Sequence, residues 1–132
     1  MEELKLDIKN TIHSQYENFI EQYVNKEDYL YTISVAYALF AKEEPNMFRM
    51  LFMTELAGNR TIDEVTSSSW NIETIEAIIK QYNINETDAK KLYIDVRFYT
   101  HGMATQICNK SIILNEDEIR ELILNAINKF IE

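Results

Sequence analysis

The chain has 132 residues, a net charge of −9 at pH 7, 46% hydrophobic residues and 27% charged ones. That length and balance fit one soluble globular domain with a real core, and exclude a disordered chain. The acidity also argues against this segment gripping nucleic acid by itself, because phosphate contacts need clustered Lys and Arg.

In chain order, Leu4, Ile8, Ile12, Tyr16, Phe19 and Tyr23 recur at steps of three and four, predicting an amphipathic helix over roughly 3–24. Asn25 to Asp28 reads as a polar connection. A second helix is expected over 28–43, with Leu30, Ile33, Tyr37 and Phe40 on one face and Tyr31, Val35, Ala38 and Leu39 on another. A helix apolar on two sides belongs at the centre of a bundle. Glu44 precedes Pro45, the only proline, which ends that helix and suits the first turn of the next. Met47 to Leu56 fill the new helix until Gly58-Asn59 stops it.

Thr61-Ile62-Asp63-Glu64 has capping-box spacing and opens a short helix. Thr66 to Ser69 are four hydroxyl residues that compete with the backbone and read as a break. Asn71 is then expected to cap a helix carrying Ile72, Ile75, Ile78, Ile79 and Tyr82. After a break at 83–85 comes a helix over 85–109, with Leu92, Val96, Tyr99, Met103 and Ile107 on one stripe. A second line follows Ile94, Arg97, His101 and Cys108. Asn115-Glu116-Asp117-Glu118 approximates a capping box for a last helix over 115–131. The fold class is therefore all-α, a single domain of six or seven helices.

The chemistry-bearing patterns are sparse. His13 and His101 are the only histidines, and neither a paired-cysteine, a His-Glu-x-x-His nor a calcium-loop pattern occurs. No metal, no cofactor and no enzymatic activity are expected. Cys108 is the single cysteine, which excludes an intrachain disulfide and favours a reducing cytoplasmic setting. No run of apolar residues is long enough to predict a membrane span.

Arg97 and His101 lie one turn apart on the same side of a helix that also carries Ile94. An arginine facing an interior needs a carboxylate, an anion or a wet cavity to meet it. Tyr37, Phe40, Phe48, Phe52, Trp70, Tyr93 and Tyr99 add broad aromatic surface with occasional polar handles; most are expected in the core, and several would suit a pocket for a hydrophobic or mixed-polarity ligand. The last two long helices carry surplus apolar residues as well. Met103, Ile107, Ile119, Leu122, Ile123, Ala126, Ile127 and Phe130 would form either a four-helix interface between two subunits or a packing surface within the chain.

Two blocks carry a family resemblance. Ala36-Tyr37-x-x-Phe40-Ala41-x-x-x-Pro45-x-x-Phe48-Arg49-x-Leu51-Phe52 and, about 50 residues later, Phe98-Tyr99-Thr100-His101-Gly102-Met103-Ala104 resemble the C-terminal regulatory domain of TetR-type transcriptional repressors. The resemblance implies a homodimer formed through the last two helices and an unknown small-molecule effector. Its cavity would lie among the first helix, the 28–43 helix, the 61–82 region and the 85–109 helix. Tyr37, Phe40, Trp70, Tyr93, Arg97 and His101 would line it. It further implies DNA contact only through an N-terminal helix-turn-helix head, which is expected to lie outside these 132 residues. Gly102 would permit a close helix contact. The alternative from the residues alone is a helical protein-interaction or scaffold domain without an effector.

Overall fold

The structure is a computed structural model that describes residues 2–53, 61–67 and 69–132. Seven α-helices are present among them: α1 (Glu2–Glu21), α2 (Tyr29–Glu43), α3 (Pro45–Phe52), α4 (Ile62–Ser67), α5 (Ser69–Tyr82), α6 (Glu86–Cys108) and α7 (Glu116–Ile131). The described residues form an all-α bundle without strands. None of these helices is long and apolar enough to cross a membrane.

Local signals set most of the helix ends. Asn85 accepts from the Asp88 N–H and starts α6. Asn115 and Glu118 make a reciprocal capping box at α7. Thr61 and Glu64 cap α4 in the same way. The connection after α1 is tighter than a plain loop: Lys26–Asp28 form a 3₁₀ turn, capped by the Asn25 side chain on the Glu27 N–H. The expected stop at Gly58-Asn59, and the run to Leu56 before it, lie outside the described residues.

Glu44 serves two helices at once. Its N–H donates to the Phe40 carbonyl at 2.8 Å, closing α2, and its carbonyl accepts from the Phe48 N–H at 2.9 Å, opening α3. Pro45 occupies the first turn, where a missing N–H leaves no helical bond unmade.

The hydroxyl run departs from expectation. Thr66 and Ser67 belong to α4, and α5 begins at Ser69, so Asn71 lies in its first turn and not at its cap. The Thr66 hydroxyl bonds back to the Ile62 carbonyl, which satisfies it within the helix. Asn71 instead spans elements, donating to the Val65 carbonyl at 2.7 Å.

α2 occupies the centre. Leu30, Ser34, Val35, Ala36, Ala38, Leu39, Phe40 and Ala41 are all buried. Its small residues let α6 approach along most of its length. One core cluster joins Leu30, Val35 and Leu39 to Ile75 and Ile78 of α5, Leu92 and Val96 of α6, and Ile119, Ile123 and Ile127 of α7. The other joins Phe40 and Ala41 to Phe48 and Leu51 of α3 and to Ala104 and Cys108 of α6, with Ile12, Tyr16 and Phe19 of α1 packed against it. By contrast Leu4 and Ile8, on the same α1 stripe, are 60% and 40% exposed.

Phe48 is fully buried and Ile113 is 87% exposed, so they should respond oppositely to substitution. Phe48→Ala should cost about 3–5 kcal/mol in urea unfolding, a large share of a small domain's stability. Ile113→Ser should change it by less than about 0.5 kcal/mol.

Candidate functional site: a polar cluster on α6

Tyr93, Arg97 and His101 follow one another at steps of four along α6, and so form one line on its surface. The line meets Tyr37 of α2, Tyr16 of α1 and Asn71 of α5. The Arg97 guanidinium donates from Nη1 to the Tyr93 hydroxyl at 3.0 Å, and its carbon lies 5.9 Å from the Tyr93 ring centroid. Tyr93 in turn donates to Asn71 Oδ1 at 2.6 Å, and Asn71 to the Val65 carbonyl. This relay ties α6 through α5 to α4, each bond polarising the next.

A second bond joins the Tyr37 hydroxyl to His101 Nδ1 at 2.6 Å. Burial, with Tyr16 adding to it, raises the Tyr37 phenol well above its ordinary range, so it keeps its proton. Burial, helped by the Arg97 charge, pushes His101 below its ordinary 6.5, so the ring is neutral near pH 7. The Tyr37 hydroxyl has no other protein acceptor among the described residues. It therefore donates to Nδ1, which leaves the imidazole hydrogen on Nε2.

Aromatic rings enclose this cluster. Tyr37 lies 5.1 Å from Phe48 and 4.9 Å from Phe52 between centroids, and Tyr16 lies 5.0 Å from Phe40 and 5.2 Å from Phe52. Their tilted and edge-on arrangements are those that aromatic quadrupoles favour. Burial also raises the Tyr16 phenol, with Tyr93 adding and Arg97 opposing. Next to His101, the Thr100 side chain is buried and its hydroxyl has no hydrogen-bond partner among the described residues.

Of the six residues singled out as ligand contacts, Tyr37, Tyr93, Arg97 and His101 come together here. Phe40 lies in the core at 1% exposure, with its ring against Tyr16 and Phe19. Trp70 belongs to α5, and its side chain lies outside the described part of the structure. Tyr16 and Asn71 are additions to the set. Tyr16 carries the one hydroxyl between Ile12 and Phe19 on its stripe, which was its only sequence signal. Asn71 looked like a cap because capping and buried relays select the same side chain.

The residues singled out for a subunit interface divide by position. Ile107, Ile119, Ile123, Ala126 and Ile127 are buried within this chain, because α7 turns that stripe towards α2 and α6. Met103 is partly buried. Leu122 and Phe130 are 36% and 41% exposed, on the outer side. Among the described residues Gly102 has no close contact of the kind expected: an added methyl there would meet none of them within 4 Å.

A cleft of about 260 Å³ lies at the α6–α7 turn, lined by Lys42, Pro45, Cys108, Lys110, Ile113 and Leu114 among others. It falls below the usual size of a ligand pocket, about 300–1,000 Å³. Its Lys42 ammonium is already used, donating to the Leu114 carbonyl at 2.7 Å. No cluster of three or more metal-ligating side chains occurs among the described residues.

Comparison with protein-family models, curated proteins and solved structures gave no match to this chain.

The depressed His101 should be visible in stability. Unfolded His101 takes up a proton as pH falls through about 6.5, whereas the folded ring resists it. Urea unfolding should therefore show stability decreasing as pH falls through that value, and His101→Gln should remove part of the slope. Tyr37→Phe, which leaves Nδ1 without its donor, should cost about 1–3 kcal/mol at pH 7.

Proposed function

We propose that this chain is a non-enzymatic helical interaction domain that pairs with a second copy of itself through the outer face of α6 and α7. The observation that carries this reading is an apolar surface shared by the two helices. Phe98 and Tyr99 of α6 are 63% and 37% exposed, and Leu122 and Phe130 of α7 are 36% and 41% exposed. Tyr99 meets Phe130 edge-on at 6.4 Å, so these two side chains touch across the helix boundary. Scattered exposed apolar side chains need no explanation, but a joined patch over two helices marks an interaction surface.

Gly102 supports self-association in particular. It sits one turn from Phe98, exposed, with open space where a side chain would be. A partner helix can approach the α6 backbone closely there. A two-fold pairing of α6 and α7 would build a four-helix interface from one self-complementary patch.

A second reading is favoured by Arg97, whose charge sits among Tyr16, Tyr37, Tyr93 and His101 with no carboxylate partner among the described residues. Under it the chain is the effector-binding and dimerising domain of a TetR-like repressor, controlling a DNA-binding head carried elsewhere. Its mechanism would be linkage: an effector acts only through a difference in affinity for two dimer states.

Both readings require a dimer. Sedimentation equilibrium should give twice the chain mass at micromolar concentration. Phe98→Glu combined with Phe130→Glu should give a monomer with unchanged far-ultraviolet circular dichroism, because both side chains are exposed. A monomer from the unchanged chain at about 100 µM would defeat this assignment, since a stable dimer burying about 800 Å² per partner forms well below that.

A further inference from the structure

The polar cluster on α6 has donors in excess. Arg97 offers five N–H groups in a planar fork and spends one of them, on Tyr93. Its guanidinium carbon also lies 5.9 Å from the centroid of that same ring. His101, with Nδ1 accepting from Tyr37, presents Nε2–H, and that hydrogen has no protein acceptor among the described residues. Tyr93 has already given its proton to Asn71. The side chains around Arg97 therefore supply donors and a positive charge, while no carboxylate among the described residues answers them. The chain carries 22 Asp and Glu residues to 13 Lys and Arg, yet none of the described acids pairs with Arg97.

A guanidinium partly withdrawn from water among aromatic rings is left to be neutralised by whatever binds there. Carboxylate matches its geometry, because two oxygens accept two parallel N–H bonds from the fork. Around it, the partly exposed Tyr16, Tyr37 and Phe52 offer ring faces and edges for an apolar body. We infer that the α6 cluster binds a small organic monocarboxylate, with its carboxylate on Arg97 and His101 Nε2 and its apolar body against the aromatic rings. This rests on the effector-binding reading and names the ligand class for it.

The charge requirement separates this inference from the reading beneath it. Benzoate and hexanoate, each paired with its uncharged amide, would be titrated into the full chain and followed by calorimetry and by amide chemical shifts. Both acids should bind and move the resonances of residues 97–101, and both amides should bind at least tenfold more weakly. Arg97→Gln should weaken the acids by tenfold or more and leave the amides unchanged. Arg97→Lys should recover part of the loss, since it keeps the charge without the fork. Arg97 is partly exposed, and each variant's unfolding transition would establish that it remains folded. Equal binding of acids and amides, indifferent to Arg97→Gln, would overturn the carboxylate class while leaving an effector site in place. Absence of binding by all four compounds would overturn the effector-binding reading and this inference with it.

Discussion

α2 has no side that faces water along most of its length, and the rest of the bundle follows from that. Its apolar residues cover more than one stripe, so no single neighbour can bury it. α6 takes its longest side, α5 and α7 flank it, and α1 and α3 close over the Phe40 end. Small side chains do as much here as large ones. Ala36, Ala38 and Ala41 let neighbouring backbones approach, while Phe40 and Leu39 fill the space between helices. An enlarged residue at any of these alanines would meet a close-packed interior that resists overfilling.

The hinge at Glu44-Pro45 converts that constraint into a shape. Without it, the apolar run from Ala36 to Phe52 would continue as one rod with its far end unpaired. The proline ends α2 and redirects the chain, so that Phe48 and Phe52 fold back beside Tyr37. Two cross-links then hold α3 against the end of α6: Cys108 Sγ donates to the Pro45 carbonyl at 3.2 Å, and Arg49 reaches the Cys108 carbonyl at 3.4 Å. The aromatic wall beside His101 is thus a consequence of one proline.

Much of the fold could be read from spacing alone, because helical periodicity, the Asn85 and Asn115 caps and the Pro45 hinge are all local signals. The site was legible only in part. Arg97 and His101 stood out because a charge and an imidazole on an otherwise apolar line are anomalous. Tyr37 was visible as an aromatic residue, but its bond to His101 joins positions 64 apart, and no local pattern encodes such a pairing. Asn71 was misassigned because a cap and a relay use the same amide. The proposed interface was harder still. On α7, Leu122 and Ile123 are equally apolar neighbours about 100° apart around the axis, and only the packing of α7 on α2 decides which one turns inward. Gly102 presented the reverse case. Its sequence suggests a close neighbour, yet the described residues provide none.

α6 is the element that makes these observations one problem. Arg97 and Phe98 are adjacent, as are His101 and Gly102, yet the first of each pair belongs to the inner polar line and the second to the outer face. Successive residues of a helix diverge by about 100°, so a single rigid rod presents a charge on one side and an apolar patch on the other. A rotation or slide of α6 that improves contacts at Arg97 must displace Phe98 and Gly102 by a comparable amount. The converse holds equally, because coupling between two binding events is reciprocal. Such coupling does not require a chain of intervening residues, since both surfaces are carried by the same helix. It does require α6 to have two packings against α2. The interface between them joins small alanines with isolated polar bonds such as Tyr37 to His101, and a bond of that kind can be exchanged without dismantling the apolar core on either side of it.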